Sequence, residues 1–132
     1  MRVVDRKVGY GYTRFMEIRE FNAYQEEAAK TALKYETPQL TLAVWALGIS
    51  GEAGEVAEII KKHMRGANNK CTKELDTEKV KKELGDVLWY IANMCQDLGF
   101  SLQDVAELNI KKLRARHGTD FAGFGDRTGE GE

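Results

Sequence analysis

Two short segments carry the residues best placed to do chemistry. Ile49-Ser-Gly-Glu52-Ala-Gly54-Glu55-Val56 and Val80-Lys-Lys-Glu83-Leu-Gly85-Asp86-Val87 both read apolar-x-x-Glu-x-Gly-acid-Val. On a helix, acids three positions apart lie about 60° from one another. Val56, Ile49 and Ile60 fall to the other side of Glu52, and Val87, Val80 and Ile91 to the other side of Glu83. Each carboxylate pair therefore borders a core-facing stripe. Carboxylates that converge inside a helical bundle repel one another and lose hydration unless a cation or protons compensate. An oxygen-only cluster suits hard divalent cations, magnesium first and manganese as a substitute. Glu52, Glu55, Glu83 and Asp86 are thus candidate metal ligands. One such pair alone reads as solvated surface; the repeat, with its matching glycine and apolar flanks, is what carries the inference. Gly54 and Gly85, costly inside a helix, are expected to admit a neighbouring backbone or a bulky ligand.

Other metal and redox chemistry fits poorly. Di-iron bundles need Glu-x-x-His on two helices, and the fourth positions here are Glu55 and Asp86. His63 and His117 stand apart without zinc-ligand spacing, and Cys71 and Cys95 form no C-x-x-C pair. With 20 basic and 21 acidic residues the formal charge is −1, so no polyanion-coating surface, and hence no nucleic acid partner, is expected. The longest uncharged run, Thr37 to Gly51, is shorter and more polar than the roughly 18 to 20 apolar residues of a membrane span. No membrane association is expected. The charged segment Met1 to Tyr10 lacks the apolar stretch of a signal peptide, which points to the cytoplasm.

The elements that must position these acids follow from the punctuation. The 132 residues fit one domain of an all-α class. Residues 1–17 read as an irregular arm, 18–118 as a four-helix domain, and 119–132 as a flexible glycine-rich tail. Phe21, Tyr24, Ala28, Ala32 and Tyr35 recur at helical spacing, so the first helix is expected from about Ile18 to Tyr35. Thr37 and Pro38 open the second, which stops near Gly66, with a bend possible at Gly48 to Gly51. Its first half, Leu40 to Ile49, is apolar all round and must be covered all round; a homodimer, paired or not into a tetramer, would do so. After a polar loop at 67–76, Asp76 or Thr77 caps a third helix ending at Gly99. Ser101 and Asp104 form a capping box for a fourth that runs to about His117.

In these residues the chain resembles the MazG-like, all-α nucleoside triphosphate pyrophosphohydrolases. The likeness rests on Glu52-x-x-Glu55, Glu83-x-x-Asp86 and the Glu-Ala-Gly-Glu-Val and Glu-Leu-Gly-Asp-Val-Leu-Trp wording, and it covers roughly residues 18 to 117. It implies a MazG-like helical bundle, completed by dimerisation, that hydrolyses a nucleoside or deoxynucleoside triphosphate to the monophosphate and pyrophosphate, with magnesium on the four acids and Glu52 or Glu55 acting as general base. Asn109, Lys112 and Arg116 then correspond to the family's phosphate-contacting residues, although basic residues also suit a helix C-terminus. Lys62 lies on the acid side of its helix and is a further phosphate candidate. Phe21, Tyr24, Gln25 and Trp89 sit on helices from which the family builds its base pocket, while aromatics at such spacing also fill cores. A phosphoribosyl-ATP pyrophosphatase or a narrow dUTPase or dCTPase of the same fold is an alternative. From another class, a non-catalytic helical dimer that binds a nucleotide or a protein would keep the acids as a structural core.

Overall fold

The computed structural model describes the backbone of residues 2–8 and 11–17, and residues 20–66 and 74–117 in full apart from the side chain of the last. The expected tail at 119–132 and most of the loop at 67–76, Cys71 included, lie outside the described residues. In chain order the elements are β1 (Arg2–Val8), β2 (Gly11–Glu17), α1 (Phe21–Lys30), α2 (Pro38–Arg65), α3 (Thr77–Leu98) and α4 (Leu102–His117).

The domain is an all-α bundle of four helices, as the patterning and the capping residues require. The segment ahead of it departs from expectation. Instead of an irregular arm, β1 and β2 pair as an antiparallel hairpin in continuous register from Arg2 opposite Glu17 to Val8 opposite Gly11. Val, Tyr, Phe and Thr at these positions favour extended backbone, and two such runs close together supply a hairpin even without a helical period.

The starts of α2, α3 and α4 and the end of α3 follow the capping residues. Thr37 Oγ1 accepts from the Leu40 N–H at 3.1 Å, and Pro38 occupies the first turn of α2. Asp76 Oδ1 accepts from the Lys79 N–H at 3.0 Å to open α3. Gly99 closes α3 with φ 78°, in the left-handed region where a Cβ is disfavoured. Ser101 and Asp104 cap α4 reciprocally: the Asp104 N–H donates to Ser101 Oγ at 2.9 Å and the Ser101 N–H to Asp104 Oδ2 at 3.1 Å. α2 runs unbroken through Gly48 and Gly51.

α1 is shorter than its periodicity suggests and ends before Ala32. The Thr31 hydroxyl donates to the Ala28 carbonyl at 2.8 Å and accepts from Trp89 Nε1 at 2.8 Å. Residue 31 is thereby fixed as a terminus, because the local side-chain bond competes with continuation of the helix. Tyr35 then lies in the connecting segment, edge-on to Trp45.

α2 and α3 form an antiparallel pair, with Trp45 against Trp89 and Tyr90 at one level and Glu52 beside Glu83 and Asp86 at another. α1 packs on α3, and α4 against α1 and α3. Among the described residues the buried core comprises Trp45 and a cluster of Ala28, Ala92, the free thiol Cys95 and Leu102, with Tyr24, Leu88, Trp89 and Ile91 packed around that cluster. Gln25 is buried among them, and its amide ties three elements. Nε2 donates to Gln96 Oε1 at 3.1 Å and to the Phe100 carbonyl at 3.2 Å, while Oε1 accepts from the Leu102 N–H at 2.5 Å. Leu47 of α2 and Leu84 of α3 are 72 % and 53 % exposed among the described residues. Among the described residues, no helix is long and apolar enough to cross a membrane.

Candidate active site

The antiparallel α2–α3 pair brings together acids that are 31 and 34 positions apart in the chain. Glu52 from α2 and Glu83 and Asp86 from α3 each present a carboxylate oxygen, and these oxygens lie within 4.8 Å of one another. Glu52 and Glu83 are half-buried and Asp86 is exposed. Among the described residues, none of the three is paired with a lysine or arginine. Desolvation raises the Glu52 carboxyl above its ordinary value, and the charges of Asp86, Glu83 and Glu55 push it the same way. Three oxygen donors that lack a cationic partner match the ligand set of a hard divalent cation.

Glu55 stands apart from this trio. It is exposed and one turn along α2, close enough to act on Glu52 through charge but outside the convergent set. The expected four-acid cluster is therefore three acids with a fourth beside them. Gly51, Gly54 and Gly85 have open space where a Cβ would stand, so no neighbouring segment of this chain approaches Gly54 or Gly85 among the described residues. Gly48 differs, since a Cβ there would overlap the Tyr90 ring.

The residues expected to hold phosphate are dispersed. Lys62 is exposed and pairs with Glu58 at 3.3 Å, one turn back on its own helix. Glu58 also bonds Lys61, chiefly for which reason its carboxyl is held below the ordinary range. Asn109, Lys112 and Arg116 are exposed on α4, and among the described residues no ion pair or hydrogen bond joins them to the acids.

Those expected to hold the base divide four ways. Tyr24 is half-buried beside the acids: burial raises its phenol and the Asp86 charge adds to the effect. Phe21 is partly exposed on a groove against Ala106 and Ile110 of α4. Gln25 has both amide groups engaged by the α3–α4 junction, as described above. Trp89 belongs to an aromatic cluster, with ring centroids 5.6 Å from Trp45 and 4.9 Å from Tyr90, both edge-on.

A cleft of about 540 Å³ that sequence patterning missed lies at the end of the α2–α3 pair where α1 runs into the connecting segment. Trp45, Asn93 and Asp97 are among its lining residues. The one signal was Asn93 itself, a polar residue beside the apolar stripe of Ile91, Met94 and Cys95.

A sequence profile of the MazG nucleotide pyrophosphohydrolase domain matches residues 40–121. The chain belongs to the MazG family. The match takes in both acidic segments and most of the bundle, omitting α1 and the hairpin. The MazG chain is also 39 % identical over 70 residues to the Gene 37 protein of Mycobacterium phage L5, an alignment covering 53 % of this chain and 60 % of that one. It thus spans less than two thirds of that relative's length. No solved structure matches.

Proposed function

We infer that this MazG domain hydrolyses nucleoside or deoxynucleoside triphosphates to the monophosphate and pyrophosphate, as a cytoplasmic enzyme of nucleotide-pool housekeeping. The observation that carries the reading is the convergence of Glu52, Glu83 and Asp86 without a cationic partner among the described residues. These three would hold a divalent cation, with magnesium the natural occupant of an all-oxygen set. Such an ion supplies neutralisation of phosphate charge and polarisation of the P–O bonds.

Glu55 lies outside the convergent trio yet within its field, which favours it over Glu52 as the base that takes a proton from the attacking water. The water oxygen bonds to phosphorus, and the bridge between the first and second phosphates breaks to release pyrophosphate. Asn109, Lys112 and Arg116 are the candidates to steady the phosphates, and Lys62 could join them by leaving Glu58. The exposure of Leu47 and Leu84 and the open space at Gly51, Gly54 and Gly85 among the described residues support a homodimer that covers part of α2 and α3.

The test is pyrophosphate release from the common triphosphates, with magnesium or with chelator, in the native chain and in Glu83→Ala. Chelator-sensitive release that falls at least about a hundredfold in the variant is the expected result, the size of effect seen when a group stabilising transition-state charge is lost. The variant should keep its helical signal and its fold. A native chain that releases no pyrophosphate, yet melts higher with magnesium, would leave a binding module in place of an enzyme.

A further inference from the structure

The cleft beside Trp45 contains a group whose polarity is fixed by the fold. Asn93 is 2 % exposed, and its Nδ2 donates to the Trp89 carbonyl at 3.0 Å. A carbonyl oxygen only accepts, so the amide cannot be turned round, and Oδ1 is the atom left over. Among the described residues no donor reaches Oδ1. A buried acceptor without a partner is costly, and proteins retain few of them.

One turn further along α3, Asp97 also lines the cleft. Its Oδ2 accepts from Trp45 Nε1 at 2.5 Å, which leaves its second oxygen as another acceptor. Tyr35 and Leu42, both half-buried, also line the cleft, flat or apolar surfaces suited to a planar ring.

The position relative to the acids completes the argument. Trp45 precedes Glu52 by seven residues on α2, and Asn93 follows Asp86 by seven on α3. At a rise of about 1.5 Å per residue both separations come to about 10 Å, a gap that a ribose and its first phosphate bridge. We propose that this cleft holds the base of the nucleotide and that Asn93 Oδ1, seconded by Asp97, selects bases with an exocyclic amino group over uracil and thymine. The proposal rests on the nucleotide reading of the acidic site.

An exocyclic amino group has two hydrogens and serves two acceptors at once. Uracil and thymine offer a single ring N–H flanked by two carbonyl oxygens, which would face the Asp97 carboxylate unpaired. Sites built to receive a donor discriminate strongly against ligands that lack one.

The experiment uses the full chain and follows tryptophan emission, since Trp45 forms the cleft wall and Trp89 packs on it. The probes are dCMP and dUMP, deoxynucleoside monophosphates that no longer carry the bond to be hydrolysed. Pyrophosphate release from dCTP and dUTP is measured in parallel. The expected result is quenching by dCMP at a concentration about 10- to 100-fold lower than by dUMP, the range corresponding to one unsatisfied buried polar group. Asp97→Asn, which turns one acceptor into a donor while still receiving Trp45 Nε1, should narrow or reverse that preference at an unchanged melting temperature.

Equal quenching by the two probes, or none by either up to millimolar concentration while release proceeds, would overturn the proposal and leave the hydrolase reading standing. Base-selective quenching without any release would overturn the hydrolase reading and leave the pocket. Loss of both signals would end both.

Discussion

The two ends of the α2–α3 pair solve opposite problems with the same helices. At the aromatic end, Tyr35, Trp45, Trp89 and Tyr90 pack edge to face, both indole N–H groups have acceptors, and the Tyr90 ring fills the space over Gly48. At the acidic end, three carboxylates meet without a counter-charge among the described residues, and Gly51, Gly54 and Gly85 look onto open space. The first end accounts for much of the pair's packing, whereas the second stores electrostatic repulsion that only a bound cation or proton relieves. Proteins that locate stability and function a few turns apart in this way can pre-form a charged site because a neighbouring cluster holds its backbone fixed.

The contrast is sharpest where the same kind of change gives different results. Trp45→Ala removes the 1 % exposed hub of the aromatic end and should cost about 3–5 kcal/mol in denaturant unfolding; a loss under 1 kcal/mol would show that the hub is not where stability resides. Gly48→Ala must displace a Tyr90 ring already hemmed in by two indoles, for about 1–3 kcal/mol of destabilisation. At Ser101→Ala, remote from both ends, loss of the α4 cap should cost about 1 kcal/mol. Its pH signature is separate. The Ser101 hydroxyl and backbone hold the Asp104 carboxyl below its ordinary value, so the stability it contributes is fully present above the unfolded-state value of about 3.9 and is lost as pH falls through the folded-state value. The variant should therefore show a shallower acid limb in a melting-temperature profile. The smallest effect is of opposite sign: Gly85→Ala meets no atoms of the described residues and should gain up to about 1 kcal/mol of helix stability. A clear loss instead, with a concentration-dependent melting temperature, would mean that a second copy packs on that face.

How much of this was legible in the sequence differs by element. The starts of α2, α3 and α4 and the ends of α2 and α3 could be read because Thr37, Pro38, Gly66, Asp76, Gly99 and the Ser101–Asp104 box act through bonds made within a few residues. The end of α1 could not, because Thr31 is fixed partly by Trp89, 58 positions away. The hairpin could not be read, because residues 1–15 show no clear period and the pairing of Arg2 with Glu17 through Val8 with Gly11 is made across the turn. At the site, the repeat of apolar-x-x-Glu-x-Gly-acid-Val brought out Glu52, Glu83 and Asp86, because a helix converts spacing into direction. Direction alone does not give reach, and Glu55 falls just outside the cluster. Gln25 and Trp89 looked free to meet a ligand, yet each is engaged by a partner from a distant element that no local pattern announces. Asn93 shows the converse: its neighbours are apolar, and its importance lies in one oxygen that the fold leaves without a donor.

The Gln25 amide also has a bearing on time. Its three hydrogen bonds join positions separated by 71, 75 and 77 residues, so they span more than half the chain. Contacts of such separation carry the largest loop-closure penalty and tend to form after the helical hairpin of α2 and α3 has already collapsed. A contact made after the transition state leaves the folding rate nearly untouched and slows the reverse step. In a chevron plot, Gln25→Ala should therefore move the unfolding limb far more than the folding limb. One side chain would then govern how long a folded molecule stays closed, independently of how quickly it closed.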